Sequence, residues 1–236
     1  DDDFWCTQTT AVKDRSSVRL QMLKAGPRKN LYFQPDEVAA AIVTSGSFCP
    51  GVNCVIRELV MMLYSYGVRK VYGIKGGFNG VIAPNTWVTL RPESVQNLHA
   101  LGGSVLVSDN GNPDVGEMAE ALQHRGIKQF FCIGGHGTHK GAMAIDAALQ
   151  KLGSDCSIVT VPQSVENDFH ILDRTFGYDT SCTEAEKAID MAYVEASGFS
   201  NCIGLVKLMG RQSGHIAMQA TLAARHVDIC LLPEME

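Results

Sequence analysis

Short apolar runs that end in glycine-rich loops alternate with segments of helical periodicity along most of this chain. The first run, 38–44 (VAAAIVT), ends near Gly46, and a later run, 129–133 (QFFCI), leads into Gly134-Gly135. A short, continuously apolar run bounded by glycine is typical of a strand buried on both faces of a parallel sheet. The repeated order of strand, loop and helix therefore predicts a doubly wound, mostly parallel α/β fold.

The same patterns place the individual elements. The predicted strands are 38–44, 70–74, 104–107, 129–133, 157–161 and 203–207, and the predicted helices are 55–66, 113–126, 140–152 and 183–196. The run 229–232 also has the character of a buried strand. Residues 1–37 are polar and contain the breakers Gly26-Pro27 and Pro35, so they are interpreted as an irregular N-terminal arm.

Composition restricts the partners and the compartment. The 236 residues are 45% hydrophobic and 19% charged, with a net charge of -5, which gives no electrostatic reason to expect nucleic acid or an anionic membrane as a partner. The apolar runs are too short to be transmembrane. The 8 cysteines are scattered without a CxxC pair, which indicates a reducing intracellular compartment. Because the chain starts at Asp1, a plastid or mitochondrial location is expected ahead of the cytoplasm.

Two of the glycine-rich loops have the position and composition of phosphate-binding loops. Residues 45–53 (SGSFCPGVN) follow the first predicted strand, and residues 134–138 (GGHGT) follow the fourth. Backbone N–H groups and the helix dipole attract phosphate at such strand-to-helix junctions, although ordinary turns there also use glycine. The pattern favours a nucleotide or sugar-phosphate site, with the two loops adjacent in space.

Several motifs carry a resemblance to a known family. They are Gly26-Pro27-Arg28, 49–53 (CPGVN), 134–138 (GGHGT), 166–168 (END), 176–180 (FGYDT) and 207–214 (KLMGRQSG). In this order they resemble plant-type phosphofructokinases, from about Ala25 to Glu234. The resemblance implies two similar α/β domains with the active site between them, here a domain at 38–179 and a partial second domain at 180–236. It also implies transfer of phosphate from ATP, or from pyrophosphate in some branches, to fructose 6-phosphate.

The resemblance assigns the candidate site residues and the cofactors. Glu166, Asp168 and Arg211 match the catalytic positions. The ATP-binding positions correspond to Gly46, Ser47, Gly51, Gly135, Gly137 and Thr138, and the sugar-phosphate positions to Ser164, Met209, Gly210, Arg211 and Glu234. ATP and Mg²⁺ are the implied cofactors, and no residue of this chain is assigned as a metal ligand.

The chain departs from the family pattern at the positions that handle charge. Asn79 and Asn110 stand where the family has arginines that face the phosphates, and Asp109 adds a carboxylate beside them. His136 stands where the family has an aspartate that holds magnesium, although Mg²⁺ prefers oxygen ligands.

Three further departures affect the shape of the site. Ser47 replaces a glycine at a point of close approach to phosphate, and Gln163 replaces a lysine. Glu166 replaces the aspartate that serves as catalytic base, and is one methylene longer. A misplacement of about 1 Å can reduce a rate roughly a hundredfold.

These departures together favour a catalytically impaired family member, a pseudoenzyme. Such a protein is expected to have a structural or regulatory role in a larger assembly, with protein partners or a second copy of itself. One alternative is an active ATP-dependent 6-phosphofructokinase of glycolysis with Glu166 as base. Another is a sensor that binds a nucleotide or sugar phosphate without turnover.

Overall fold

The computed structural model describes residues 5–11, 17–23, 30–111, 113–169, 172–211 and 213–235. The chain divides into two compact units, Asp1–Gln34 and Pro35–Glu236. In the first unit, strand β1 (Trp5–Ala11) pairs antiparallel with β2 (Ser17–Leu23), with Trp5 opposite Leu23. The prediction of an irregular arm is wrong for these two segments. The threonines and the valine in these segments favour β-strands. The prediction gave more weight to the glycine and prolines that follow them in the arm.

The second unit contains a five-stranded sheet with helices around it. The strands are β3 (Ala39–Ser45), β4 (Lys70–Ile74), β5 (Trp87–Thr89), β6 (Ile127–Gly134) and β7 (Ser157–Pro162). The helices are α1 (Val52–Ser65), α2 (Asn79–Ile82), α3 (Pro92–Val95), α4 (Val115–His124), α5 (His136–Lys151), α6 (Tyr178–Ser197) and α7 (His215–Ala224), and Leu98–Ala100 form a 3₁₀ turn. The sheet order is β5-β4-β3-β6-β7. All pairs are parallel except β4 with β5, which confirms the predicted mostly parallel α/β fold.

The central strand β3 explains why this order is stable. All seven of its residues are buried. Ala41 and Val43 belong to a core cluster that includes Met118 of α4 and Ile145 of α5. Successive side chains of a strand point to opposite faces, and Ile42, on the other face, is also fully buried. Strand β3 is therefore covered on both sides, as its continuous apolar sequence predicts.

A second cluster is formed by α6 and α7. Its buried members include Tyr178, Ile189 and Ile216, and Val206 and Leu208 pack against it. The predicted domain boundary at residues 179/180 lies at the start of α6 and remains a prediction. Among the described residues, no helix combines the length and the apolar character that crossing a membrane requires.

The strand order creates a switch point between β3 and β6. The chain leaves β3 toward β4 on one side and returns to β6 on the other side. Thr138 Oγ1 of α5 donates a hydrogen bond of 3.1 Å to the Ser45 carbonyl oxygen at the end of β3. The loops 46–53 and 134–138 are therefore adjacent, as predicted, at the edge where open α/β sheets bind ligands.

Three predicted strands are wrong. Residues 104–107 form a turn, in which the Val107 N–H donates to the Ser104 carbonyl oxygen. Leu106 is buried by packing rather than by strand pairing, and the short strand β5 pairs with β4 instead. The segments 203–207 and 229–232 are not strands, since the described residues supply no ladder partner for either of them. An apolar run fits a buried strand only where neighbouring strands are present.

The helices beside the predicted site begin earlier than expected. Helix α5 begins at His136 rather than residue 140, and α6 at Tyr178 rather than residue 183. Polar and glycine residues in these first turns hid the helical pattern. The sequence GGHGT is therefore largely the first turn of α5 rather than a separate loop.

The β3–β6 junction gives a stability prediction. A Cβ added at Gly134 would overlap Thr138 Oγ1 and the Ser45 carbonyl oxygen. We expect Gly134→Ala to lower the free energy of unfolding by about 1–3 kcal/mol or more, as overpacking does in rigid interiors. Urea denaturation of both proteins measures this difference.

Gly102→Ala is the matched control, because a Cβ at Gly102 meets no atom within 4 Å. Its stability should match the wild type within about 0.5 kcal/mol. Equal stability of Gly134→Ala and Gly102→Ala would contradict the described packing of the junction.

Candidate functional site

The loop after β3 is held in place mainly through its backbone. Gly46 has a φ of 95°, which favours glycine, and its N–H donates to the Asp109 carbonyl oxygen at 3.2 Å. The buried Gln163 side chain at the end of β7 donates from Nε2 to the Ser47 carbonyl oxygen. Gln163 Oε1 is also buried and has no partner among the described atoms. Ser47 is exposed, so this loop presents a serine to solvent between Gly46 and Phe48.

Cys49 and Gly51 fix the second half of this loop. The Cys49 thiol donates to the Phe176 carbonyl oxygen at 3.1 Å, and burial raises the pKa of this thiol to about 11. A Cβ on Gly177 would overlap the Cys49 sulfur. Gly51 caps α1 with a φ of 92°. Cys49 is therefore a neutral packing residue at neutral pH, and the FGYDT segment packs against this loop.

The loop after β6 presents the N-terminus of α5 to the same edge. Gly135 is the cap residue, and α5 has 16 residues. The first-turn N–H groups and the positive end of the helix dipole lie at this edge of the sheet. Thr138 is buried and bonded to Ser45, so its position supports the junction. A Cβ on Gly137 meets no atom within 4 Å, so space rather than packing surrounds this glycine.

A chain of three side chains crosses from the END segment to α5. Ser164 Oγ donates to Asp168 Oδ1 at 2.5 Å, and His136 Nε2 lies 3.1 Å from Asp168 Oδ2. Burial would raise the pKa of Asp168, but hydrogen bonds from Ser164, its own backbone and His136, with the charge of His136, hold this pKa below its ordinary value. Asp168 is therefore ionised at neutral pH and its two carboxylate oxygens are both in contact with neighbours.

Phe169 organises two histidines that sequence reasoning did not connect. Its ring stacks on His136 with a centroid distance of 4.2 Å and contacts His139 at 5.0 Å. Burial lowers the pKa of His139. Hydrogen bonds with the backbone of Gly134 and Val161 raise this pKa in part, and the charge of His136 lowers it further. His139 Nε2 is buried without a described partner. Only tertiary structure brings Phe169 to these rings, since 30 or more residues separate them.

Glu166 connects the END segment to the MGRQSG segment. The Arg211 backbone N–H donates to Glu166 Oε2 at 3.2 Å, and Ser213 Oγ donates to the Glu166 carbonyl oxygen at 3.0 Å. Asn167 adopts a φ of 53°, a conformation in which asparagine is enriched, and its side chain bonds the Thr175 N–H. The predicted catalytic residues Glu166 and Arg211 are therefore neighbours, through the backbone of Arg211.

The remaining predicted sugar-phosphate residues surround the MGRQSG turn. Gly210 has a φ of 128°, and Met209 is exposed. Glu234 accepts two hydrogen bonds from the Gly214 N–H, at 2.8 and 3.1 Å, and these bonds lower its pKa. Glu234 thus supports the turn before α7, and no described hydrogen bond joins it to the 134–138 loop.

The two positions at which the resemblance implies arginines, Asn79 and Asn110, lie beside Asp109, which bonds the first loop. Asn79 Nδ2 donates to the Asp109 carboxylate, and the Asn79 amide packs so closely on Gly111 that a Cβ there would overlap it. Asn110 is exposed. The amide of Asn79 is therefore used by a neighbouring carboxylate.

The structure brings six of the thirteen predicted site residues into hydrogen-bonded pairs with each other or with neighbouring residues. The pairs are Ser45 with Thr138, Ser47 with Gln163, His136 with Asp168, Ser164 with Asp168, and Glu166 with Arg211. Their roles in binding or catalysis remain predictions. In the described part of the chain, no group of three or more His, Cys, Asp or Glu side chains could hold a metal ion.

These features define an open-sheet α/β protein whose glycine-rich loops meet at the topological switch point. The chain belongs to the phosphofructokinase family: residues 39–236 match the family described as Phosphofructokinase.

Relatives agree with this assignment. The chain is 46% identical to ATP-dependent 6-phosphofructokinase 1 of Arabidopsis thaliana over 235 residues, covering 99% of this chain and 50% of that protein. It is 47% identical to ATP-dependent 6-phosphofructokinase 5, chloroplastic, of the same plant, and the match covers 94% of this chain and 42% of that protein. The chain thus spans about half the length of the curated relatives it matches.

Solved structures show the same fold. Phosphofructokinase from Saccharomyces cerevisiae aligns with a TM-score of 0.69 and 22% identity over 80% of this chain and 25% of that one. Pyrophosphate-dependent phosphofructokinase from Marinobacter aquaeolei aligns with a TM-score of 0.72 and 19% identity. The alignment covers 84% of this chain and 53% of that one. At these identities the comparison supports the fold alone.

The lowered pKa of Asp168 gives a pH-dependent prediction. A carboxyl whose pKa is lower in the folded state stabilises the fold above its unfolded pKa, about 3.9, and loses this contribution as pH falls through the folded value. We expect Asp168→Asn to be less stable than the wild type at pH 7 by about 1 kcal/mol, and this difference to shrink below about pH 4.

Guanidinium denaturation at several pH values measures the difference, with the exposed Asp228→Asn as control. The control should show no such pH dependence. An Asp168→Asn difference that stays constant from pH 7 to about pH 3 would show that ionised Asp168 does not stabilise the fold.

Proposed function

We propose that this chain is a phosphofructokinase-family protein with impaired phosphoryl transfer, which acts as a structural or regulatory subunit of a larger assembly. The observation that carries the proposal is the hydrogen bond from Asn79 to the Asp109 carboxylate. At a position where the resemblance implies an arginine facing phosphate, this chain has a neutral amide that is already bonded to an anion.

The local charges support this proposal. Phosphoryl transfer depends largely on positioning and on positive groups that stabilise the charge of the transferred phosphate. Asp109, Glu166 and Asp168 contribute three carboxylates to the segments at this edge of the sheet. Neither Asn79 nor Asn110 contributes a positive charge to offset them. A polyanionic ligand would therefore experience more repulsion here than at a site with two arginines.

The position of the proposed base adds to the impairment. The carboxylate of Glu166 accepts a hydrogen bond from the Arg211 backbone N–H, so one of its oxygens is already held by the protein. A glutamate also carries its carboxylate one methylene further from the backbone than an aspartate. Both effects would reduce its ability to take a proton from a sugar hydroxyl.

An assay of product formation tests the impairment. The full chain, incubated with ATP, Mg²⁺ and fructose 6-phosphate, should form fructose 1,6-bisphosphate with a turnover below about 0.1 s⁻¹, tenfold under the range of about 1–100 s⁻¹ typical of kinases. The triple variant Asn79→Arg/Asn110→Arg/His136→Asp is the matched comparison and should be faster than the wild type. Wild-type turnover within the typical range would refute the impairment.

The active-enzyme alternative is also supported by an observation. Relatives named ATP-dependent 6-phosphofructokinase are 46% and 47% identical to this chain, and Glu166 and Arg211 remain adjacent. In this alternative Glu166 acts as base, and Glu166→Gln should abolish turnover in the same assay. The sensor alternative instead expects nucleotide binding without turnover at the 46–53 and 134–138 loops.

The assembly role is supported by an exposed apolar surface in the last part of the chain. Ile203 and Leu205 are 89% and 87% exposed, whereas Val206 and Leu208 pack against the α6–α7 cluster. Among the described residues, no backbone–backbone hydrogen bond involves 202–208. Segment 202–208 therefore packs one apolar face against α6 and α7 and exposes another to solvent. Its backbone N–H and C=O groups could pair with a strand from another chain.

The proposed partner for this surface is a second copy of the chain. Ile229 and Leu231 are also exposed, and so are Met191 and Val194 of α6. Within 202–208 the single charged residue is Lys207, so little charge repulsion opposes pairing of two such segments. Covering these side chains with protein would remove a large apolar area from water.

Light scattering after size-exclusion chromatography tests the assembly. We expect the wild type to elute as a dimer or larger species, and Ile203→Glu/Leu205→Glu to shift toward monomer with unchanged circular dichroism. Met143→Glu, an exposed residue on α5, is the matched control and should not change the mass. A wild-type monomer would contradict the assembly role.

A plastid or mitochondrial location is part of the same proposal. The relatives include two named as chloroplastic. The seven cysteines from Cys49 to Cys230 are free thiols, which suits a reducing compartment. Immunoblotting of fractionated organelles would test this location, and recovery in the cytosolic fraction alone would count against it.

A further inference from the structure

Each oxygen of the Asp168 carboxylate already has one polar neighbour within the protein. Ser164 Oγ donates to Oδ1 at 2.5 Å, and His136 Nε2 lies 3.1 Å from Oδ2. A magnesium ion needs oxygen ligands at about 2.0–2.1 Å in near-octahedral geometry. An ion bound to Asp168 would therefore share an oxygen that already has a neighbour, and beside Oδ2 that neighbour is the Nε2 atom of His136 rather than a second oxygen ligand.

The His136 ring is held where it is by more than this bond. It stacks on Phe169 with the ring planes 17° apart, and its backbone begins α5. Moving the ring away from Asp168 would give up the stacking and the hydrogen bond together. An imidazole at this position also offers nitrogen to a hard cation that prefers oxygen.

The two other carboxylates named at this edge each accept one hydrogen bond from the protein. The Asp109 carboxylate accepts from Asn79, and that of Glu166 accepts from the Arg211 backbone. In the described part of the chain, no cluster of three or more potential ligands gathers at any point. The residues therefore do not fit the Mg²⁺ that the fold family implies.

We infer that this chain holds no divalent cation through the described side chains at the switch point, because the His136 imidazole rather than a second carboxylate faces Asp168 and no ligand cluster surrounds the pair. One consequence rests on the proposed function, in its sensor alternative. If the chain binds a nucleotide in this way, the affinity should not depend on Mg²⁺. His136 is thus a specificity-determining residue, because it places an imidazole where a carboxylate would favour a divalent cation.

The first experiment uses Mn²⁺ alone as a paramagnetic probe of oxygen-rich metal sites. In amide NMR spectra of the full wild-type chain, Mn²⁺ should leave the signals of Gly135, Gly137 and Asp168 unbroadened. In His136→Asp, which supplies a second carboxylate and frees Asp168 from the ring, the same signals should broaden. This measurement needs no nucleotide, so it decides the metal inference separately from the proposed function.

The chain offers a matched control for this variant. His226 Nε2 lies 2.7 Å from Asp190 Oδ1, and the His226 ring stacks on Tyr193, so this pair resembles that of His136 with Asp168. His226→Asp also creates a pair of carboxylates, but away from α5. It should leave the Gly135 and Gly137 signals unbroadened by Mn²⁺.

The second experiment compares ADP affinity with Mg²⁺ and with a chelator, by calorimetry. For the wild type the Kd should change less than about threefold, whereas His136→Asp should bind at least about tenfold more tightly with Mg²⁺, a difference of about 1.4 kcal/mol. If neither protein binds ADP, nucleotide sensing fails while the Mn²⁺ result still stands.

Three results would overturn the inference. The first is broadening of the wild-type loop signals by Mn²⁺ to the extent seen in the variant. The second is a His136→Asp protein that folds but gains no Mn²⁺ response, since another feature would then exclude the metal. The third is wild-type ADP binding that tightens about tenfold on addition of Mg²⁺.

Discussion

The hydrogen bond from Thr138 Oγ1 to the Ser45 carbonyl oxygen, at 3.1 Å, joins the ends of β3 and β6, and the candidate site depends on this junction. Gly134 allows the contact, because any side chain there would overlap both groups. With the junction in place, the loop after β3 and the first turn of α5 lie at one edge of the sheet. The segments that follow β7 then add Gln163 and Asp168 to the same edge.

The polar groups at this edge mostly bind each other. Asp168 binds Ser164 and His136, Asp109 binds Asn79, and Glu166 binds the Arg211 backbone. Each pair satisfies a carboxylate within the protein, which stabilises the local fold. The hydrogen bonds that stabilise this edge therefore involve the side chains of the candidate site itself.

Family membership shows the fold but does not by itself determine the chemistry of the site, for a physical reason. Identity of 46% to an Arabidopsis ATP-dependent 6-phosphofructokinase is sufficient to preserve the buried strands and helices, whose stability comes from many apolar contacts. Phosphoryl transfer depends on a few charged groups at fixed positions. Changes at Asn79, Asn110 and His136 can therefore remove chemistry and leave the fold intact.

The sequence by itself determined the parallel α/β fold and the adjacency of the two loops, because buried parallel strands and strand-to-helix glycines have local patterns that packing reinforces. It predicted strands at 203–207 and 229–232 wrongly, since apolar character says nothing about whether a neighbouring strand is present. It identified His136 and Asp168 as site positions but not their contact, and it missed Phe169 between two histidines. Those contacts join residues from different elements. Only the tertiary structure decided them, because side-chain hydrogen bonds and ring stacking depend on how α5 and the segment after β7 pack together.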